Sequence, residues 1–268
     1  MIFQFCMKCF EHSAYVISVY TARINTMKLL FLSTITLLTT ATVCANQLSR
    51  CVQNNYAALT FDDGPHNNTN LYLDVLDKYN VSGAFFVSGL SVYRNNKYDF
   101  IKKTHERGHV VASHGFSHAA MEKLNDFNKE RELYDNELIF RQAFNKRPQL
   151  YRPPYFSYDT SIVNIANKFG YTIVTTELNT DDWMEDNTTD GADAIFSNYL
   201  EKFNNVTGHI ILQHDYHSTG YLATEKIINH LLQNNYTIVS LVECLGLTGD
   251  GLQADNTYGP LLESGVNN

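Results

Sequence analysis

The sequence predicts one α/β domain whose strands form a closed or nearly closed (β/α) barrel. Short β-rich runs alternate with helical patterns along the chain. That alternation favours a parallel sheet covered by helices. Seven such runs suit a barrel better than the runner-up, an open doubly wound sheet. Polar clusters fall at the C-terminal ends of the runs, which share one face in a parallel barrel.

In chain order the strands are read as "AALTF", "GAFFVSG", "HVVASH", "LYR", "YTIVTTEL", "HIILQH" and "YTIVSLVE". The helices between them are "NLYLDVLDKYN", "YDFIKKTHERG", "ELYDNELIFRQAFN", "TSIVNIANKFG", "DAIFSNYLEKFNN" and "TEKIINHLLQNN". In several of them apolar residues recur at intervals of three and four. No linker rich in Pro, Gly or Ser divides the chain, so a single domain is expected over residues 46–268.

The segment before it reads differently. From Met27 the chain runs "MKLLFLSTITLLTTATVCA", a lysine followed by an apolar stretch and small residues, which reads as a secretory signal over residues 27–45. Residues 1–26 lack that character and read as a spurious or extra N-terminal extension. After removal of the signal two cysteines remain, Cys51 and Cys244, near the two ends. In an oxidising compartment they are expected to form one disulfide. Sequons begin at Asn67, Asn80, Asn187, Asn205 and Asn235. Together these features predict a secreted, extracellular or cell-wall glycoprotein with no membrane anchor once the signal is removed, and a monomer is expected. The composition is 44% hydrophobic and 18% charged, with a net charge of −8 and no Lys/Arg cluster, so no nucleic-acid partner is expected.

The polar clusters carry the chemistry. "TF" ends in Asp62 and Asp63, "HVVAS" in His114 with His118 beyond it, and "LY" in Arg152. "TTELNT" leads to Asp181, Asp182 and Trp183, and "IILQ" ends in His214. Each cluster alone is commonplace: a turn, a cap, a core histidine. Their shared position at strand ends is what needs explaining. A catalytic zinc site takes three protein ligands and leaves one position open. His114, His118 and one of the two aspartates can supply them, and the other aspartate is then free to act as a general base. Arg152 is the fork-shaped partner that would hold such a base ionised. His214 is the remaining group able to donate a proton, with Asp182 to orient it. A metal, a base and an acid describe metal-assisted hydrolysis of an acyl bond. A serine elbow, a dinucleotide fingerprint, a phosphate loop and His-Glu-x-x-His are all absent. A retaining glycosidase would leave the three histidines unexplained.

In order, "TFDDGP", "HGFSH", "RPPY", "DDW" and "LQH" resemble the five motifs of the polysaccharide deacetylases of the NodB-homology type, most nearly the secreted fungal chitin deacetylases. The resemblance implies a distorted (β/α) barrel. It implies Asp62 as general base and Asp63, His114 and His118 as ligands of Zn2+, with Co2+ or another divalent transition metal also fitting the donor set. It further implies Arg152 holding Asp62, Asp182 tuning the general acid His214, and Trp183 and Leu212 beside the acetyl methyl. The backbone N–H of Tyr155 would face the oxyanion, and Cys51–Cys244 matches a disulfide of the fungal members. The activity implied is removal of N-acetyl groups from chitin or chitooligosaccharides. Peptidoglycan, acetylxylan and a non-catalytic chitin-binding role are the alternatives. Two positions depart from the family pattern: Phe156 stands where glycine is usual, and Asn179 where aspartate is frequent.

Overall fold

The computed structural model describes residues 47–203 and 207–255. The signal segment and the sequon at Asn205 lie outside them. The strands are β1 (Gln47–Leu48), β2 (Tyr56–Asp62), β3 (Gly83–Val87), β4 (Val110–Ser113), β5 (Arg147–Pro148), β6 (Leu150–Tyr151), β7 (Thr172–Val174), β8 (Leu178–Asn179), β9 (His209–His214), β10 (Thr237–Ile238) and β11 (Leu252–Gln253). Nine of them form one parallel sheet in the order β1-β7-β6-β4-β3-β2-β9-β8, with β10 added on β2. The short pair β5–β11 is antiparallel and separate. No pairing joins β1 to β8 among the described residues, so the curled sheet is a half-barrel rather than a closed one.

Helices cover its outer face. Thr69–Lys78 buries Tyr72, Leu73 and Leu76 on one stripe. Asp126–Phe144 is capped by Asn125, whose side chain accepts from the Asn128 N–H at 2.9 Å, and it ends at Asn145 in the left-handed region. Thr160–Lys168 starts at Asp159, whose carboxylate accepts from the Ile162 N–H at 2.9 Å.

Both faces of the strands are buried, which accounts for their continuous apolar runs. Leu59, Phe61, Phe85 and Val111 meet the helices, while Ala58, Ala84, Phe86, Ala112, Val174 and Ile210 fill the inside. Full burial of a side chain such as Phe86 contributes about 1.5–3 kcal/mol. Asp62 and Ser113 end the strands that carry the inward Ala58 and Ala112, so the polar strand ends follow directly on this apolar interior.

The outline expected from the sequence holds, with three local differences. "YTIVTTEL" is not one strand. Its two ends pair with different neighbours, Thr172–Val174 with β1 and β6, and Leu178–Asn179 with β9. "YTIVSLVE" is strand only at Thr237–Ile238, because Ser240 Oγ accepts from the Glu243 N–H at 3.2 Å and starts the helix Leu241–Cys244. A short helix, Gly89–Arg94, follows β3 where none was expected.

Cys51 and Cys244 are bonded, 193 residues apart in sequence. The bridge ties the segment entering β2 to the last helix, and the Val52 N–H donates to the Cys244 carbonyl alongside at 2.7 Å. Changing both cysteines to serine is expected to lower stability by about 2–5 kcal/mol. An equilibrium urea transition on the double variant checks this, and an unshifted midpoint would contradict it.

Candidate active site

The pleat of β2 decides which side chains reach the site. Ala58, Thr60 and Asp62 alternate onto the concave face. Opposite Asp62 in register stands His214, the last residue of β9. Arg152 follows β6 and is fully buried. Its Nη1 donates to Asp62 Oδ1 at 2.7 Å and to Thr60 Oγ1 at 2.9 Å. Its guanidinium lies 4.1 Å from the centre of the Phe86 ring, so the cation is gripped between an aromatic face and a carboxylate.

Asp63 would point away from Asp62 if the strand continued. Instead its φ is +73°, and this left-handed turn swings its carboxylate back toward the same space. The next residue must be glycine for a separate reason: a Cβ on Gly64 would lie 2.3 Å from Oδ2 of the buried Asp215. Burial pushes the Asp215 carboxyl up to about 7, and Thr69 Oγ1 donates to it at 2.6 Å.

Asp63 Oδ1 faces His114 Nε2 at 3.3 Å and His118 Nε2 at 2.9 Å. Two ligands about 2.0–2.1 Å from a common tetrahedral zinc stand about 3.3 Å apart, so the spacing suits that geometry. The other ring nitrogens are occupied. His114 Nδ1 lies 2.8 Å from the Arg152 carbonyl, which accepts only, so this nitrogen carries the ring's proton. Its Nε2 then turns a lone pair toward a carboxylate oxygen. Asp63 Oδ1 is itself buried and receives no hydrogen bond. Acceptors converging in this way require a cation or extra protons among them. These three residues are the group among those described whose donor atoms can hold a metal ion, all lying within 4.8 Å of one another. Burial acts to raise the Asp63 pKa, but His114 and His118 in their protonated forms outweigh it and hold the carboxyl well below its usual range, the role a cation takes over when the rings are neutral.

On the far wall the Asp182 carboxylate accepts from His214 twice, at 2.7 Å from Nδ1 and 2.6 Å from the backbone N–H. This leaves Nε2 facing the cavity, 3.9 Å from Asp63 Oδ2. Burial alone would lower the His214 pKa. The bond and charge of Asp182, with Asp62 and Asp63 nearby, outweigh it and lift the pKa to about 9.

Asp62, Asp63, His114, His118 and His214 line one cavity of about 410 Å3, with Arg152 and Asp182 buried behind them. Leu212 is a buried part of its wall, whereas Trp183 and Tyr155 are 57% and 68% exposed at the mouth. The Tyr155 hydroxyl lies 3.0 Å from His118 Nδ1, a contact that motif reading did not reveal. Tyr155 and Phe156 both have positive φ, +58° and +51°, so a bulky Phe156 occupies the left-handed backbone where glycine would be unstrained. Asn179 also lines the cavity, and its Oδ1 accepts from the Asp181 N–H at 3.0 Å. Lys202 bonds both the Asn179 carbonyl and the Asp181 carboxylate. The turn that delivers Asp182 is thus fixed without an aspartate at position 179. Tyr216 completes the lining, tilted against the His214 ring with centroids 5.4 Å apart. It was missed because it lies beyond the strand end, where side-chain alternation no longer predicts direction.

Of the sequons, Asn67, Asn80, Asn187 and Asn235 are exposed. The Asn187 side-chain oxygen is already engaged, accepting from His217 Nδ1 at 3.0 Å and from the Ser218 N–H at 2.8 Å.

A parallel half-barrel with a carboxylate–imidazole cluster, a buried Arg–Asp pair and an Asp–His pair around one cavity defines a class of hydrolase scaffold. The chain belongs to the polysaccharide deacetylase family. The family model described as polysaccharide deacetylase matches residues 49–174. A chitin deacetylase of Colletotrichum lindemuthianum is 30% identical over 203 residues, covering 74% of this chain and 82% of that protein. A chitin deacetylase of Arthroderma benhamiae is 31% identical over 202 residues, covering 74% of this chain, which spans only 54% of that relative's length. The solved structure of the chitin deacetylase from the fungal pathogen Colletotrichum lindemuthianum matches with a TM-score of 0.74 at 28% identity, covering 81% of this chain and 99% of that one.

Proposed function

We propose that this protein is a secreted, divalent-metal-dependent N-deacetylase acting on chitin or chitooligosaccharides and releasing acetate. The observation that carries the reading is the convergence of three differently partnered groups on one cavity: Asp62 with Arg152, Asp63 with His114 and His118, and His214 with Asp182. The printed names of the fungal relatives favour chitin as the polymer.

Asp63, His114 and His118 would hold the metal, with zinc the first choice for this donor set. When bound, such a cation supplies Lewis acidity toward water and an acyl oxygen. The chain's own residues then divide the proton transfers. Asp62, fixed by Arg152, takes a proton from water as its oxygen bonds to the acetyl carbon. The backbone N–H of Tyr155 donates to the oxygen that gains charge. As the C–N bond breaks, protonated His214 delivers a proton to the departing nitrogen, so a neutral amine leaves. Trp183 and Leu212 exclude water beside the acetyl methyl.

The direct test incubates the purified protein with N-acetylglucosamine oligomers and reads products by mass, with chelator and then with zinc restored. Loss of acetyl groups that stops and returns with the metal supports the proposal. Intact oligomers with folded, metal-loaded protein would reject chitin, and acetylated xylan and peptidoglycan fragments run in parallel would identify another polymer.

The assigned acid fixes a pH dependence. His214 must be protonated to donate, so activity is present below its pKa and is lost as pH rises through it. A bound cation opposes the rise in that pKa, so the alkaline limb of kcat/KM is expected at or below about 9. Asp182→Asn removes the main raising interaction and should move the limb to lower pH. An unmoved limb would exclude His214 as the acid.

A further inference from the structure

We propose that Glu132 is a positioning residue that holds the loop between His114 and His118 in the shape required for metal binding. This rests on the assignment of those histidines as ligands under the proposed function. The ligands cannot meet Asp63 unless the chain reverses sharply between them, and it does so with Gly115 at φ +76° and His118 at φ +63°. A loop of this kind turns successive backbone N–H groups to one side, forming a small anion-binding concavity. Here the occupant is a side chain. The N–H groups of Phe116 and Ser117 donate to Glu132 Oε2 at 3.0 and 2.8 Å, and Ser117 Oγ donates to Oε1 at 2.5 Å.

The opposite side of the loop is held as well. The Gly115 carbonyl accepts from the Gly89 N–H at 3.1 Å, and the Phe116 carbonyl accepts from the Leu90 N–H at 2.8 Å and from Ser88 Oγ at 3.1 Å. The carbonyls are thus gripped by the start of the helix Gly89–Arg94, while two N–H groups depend on one carboxylate carried by the helix Asp126–Phe144. Glu132 forms no ion pair with a Lys or Arg among the described residues, so the loop is where its charge is used. With Glu132 removed, two N–H groups lose their acceptor, and the residue directly before the left-handed turn at His118 loses its anchor.

The experiment measures zinc affinity by competition with a chromophoric chelator, using wild type, Glu132→Ala and Glu132→Gln, with the melting temperature of each metal-free protein. Partners beyond the ligands are commonly worth 10–100-fold in metal affinity, so Glu132→Ala is expected to bind zinc about 10-fold or more weakly. Glutamine keeps one acceptor oxygen but loses the charge and the second acceptor. Glu132→Gln is therefore expected to fold with a melting temperature close to wild type and to bind zinc more weakly than wild type but more tightly than Glu132→Ala. Loss of affinity at unchanged metal-free stability supports positioning over mere scaffolding. Wild-type affinity in Glu132→Gln, whether or not the alanine variant folds, would overturn the proposal. A wild-type protein that takes up no divalent cation would instead overturn the functional reading on which the proposal rests.

Discussion

Asp62→Asn is expected to cut turnover by about 10²–10⁴-fold while leaving the metal site occupied. The substitution keeps the shape of the side chain but removes its charge, and with it both the capacity to take a proton and the ionic half of the bond to Arg152. A positioned general base commonly contributes about 10²–10⁴-fold, and the loss in kcat should lie in that range. Asp62 Oδ2 lies 3.9 Å from His114 Nε2, outside the Asp63–His114–His118 cluster, so metal content should be unchanged. Two measurements separate the roles: turnover of chitooligosaccharide and metal stoichiometry after dialysis. Retained turnover would remove Asp62 as base. Lost metal would make it a ligand and reverse the roles proposed for the two neighbouring aspartates.

Arg152→Met is expected to produce the largest loss of stability of any single change at the site. Arg152 is fully buried and Asp62 is 3% exposed. Removing one member of a buried ion pair leaves the other without compensation and typically costs about 3–5 kcal/mol. Methionine fills part of the vacated volume, so the loss should come from charge more than from a cavity. Activity should fall as well, because the Asp62 carboxylate loses the donor that fixes it. Urea denaturation and turnover of chitooligosaccharide test the two halves independently. A variant as stable as wild type would show that Thr60 and the surrounding backbone suffice to hold Asp62. Unaltered turnover would show that the pair has no part in catalysis.

Much of the architecture was legible because it follows from period and punctuation. Strand–helix alternation specifies a parallel sheet, and the C-terminal ends of its strands share a face whatever the details of packing. That reasoning located Asp62, His114, Arg152, Asp182 and His214 without any knowledge of contacts. The disulfide was readable by counting, since Cys51 and Cys244 are the two cysteines beyond the signal segment. Closure of the barrel was not readable. It depends on whether β1 and β8 reach one another, and strands of two residues carry almost no local signal.

The sequence by itself determined which residues stand at the rim, through side-chain alternation along each strand. Only the tertiary structure decided where those just past the strand ends point. Asp63, His118, Tyr155, Phe156 and Asp181 all adopt positive φ, a conformation that non-glycine residues resist and that no local propensity encodes. Two of them are held by side chains from elsewhere in the chain: His118 meets the Tyr155 hydroxyl at 3.0 Å, and the Asp181 carboxylate is bonded by Lys202. Alternation is a property of one strand and can be read from a few residues. A strained turn persists only when contacts from elsewhere in the chain outweigh its cost, and those contacts exist only once the chain has folded.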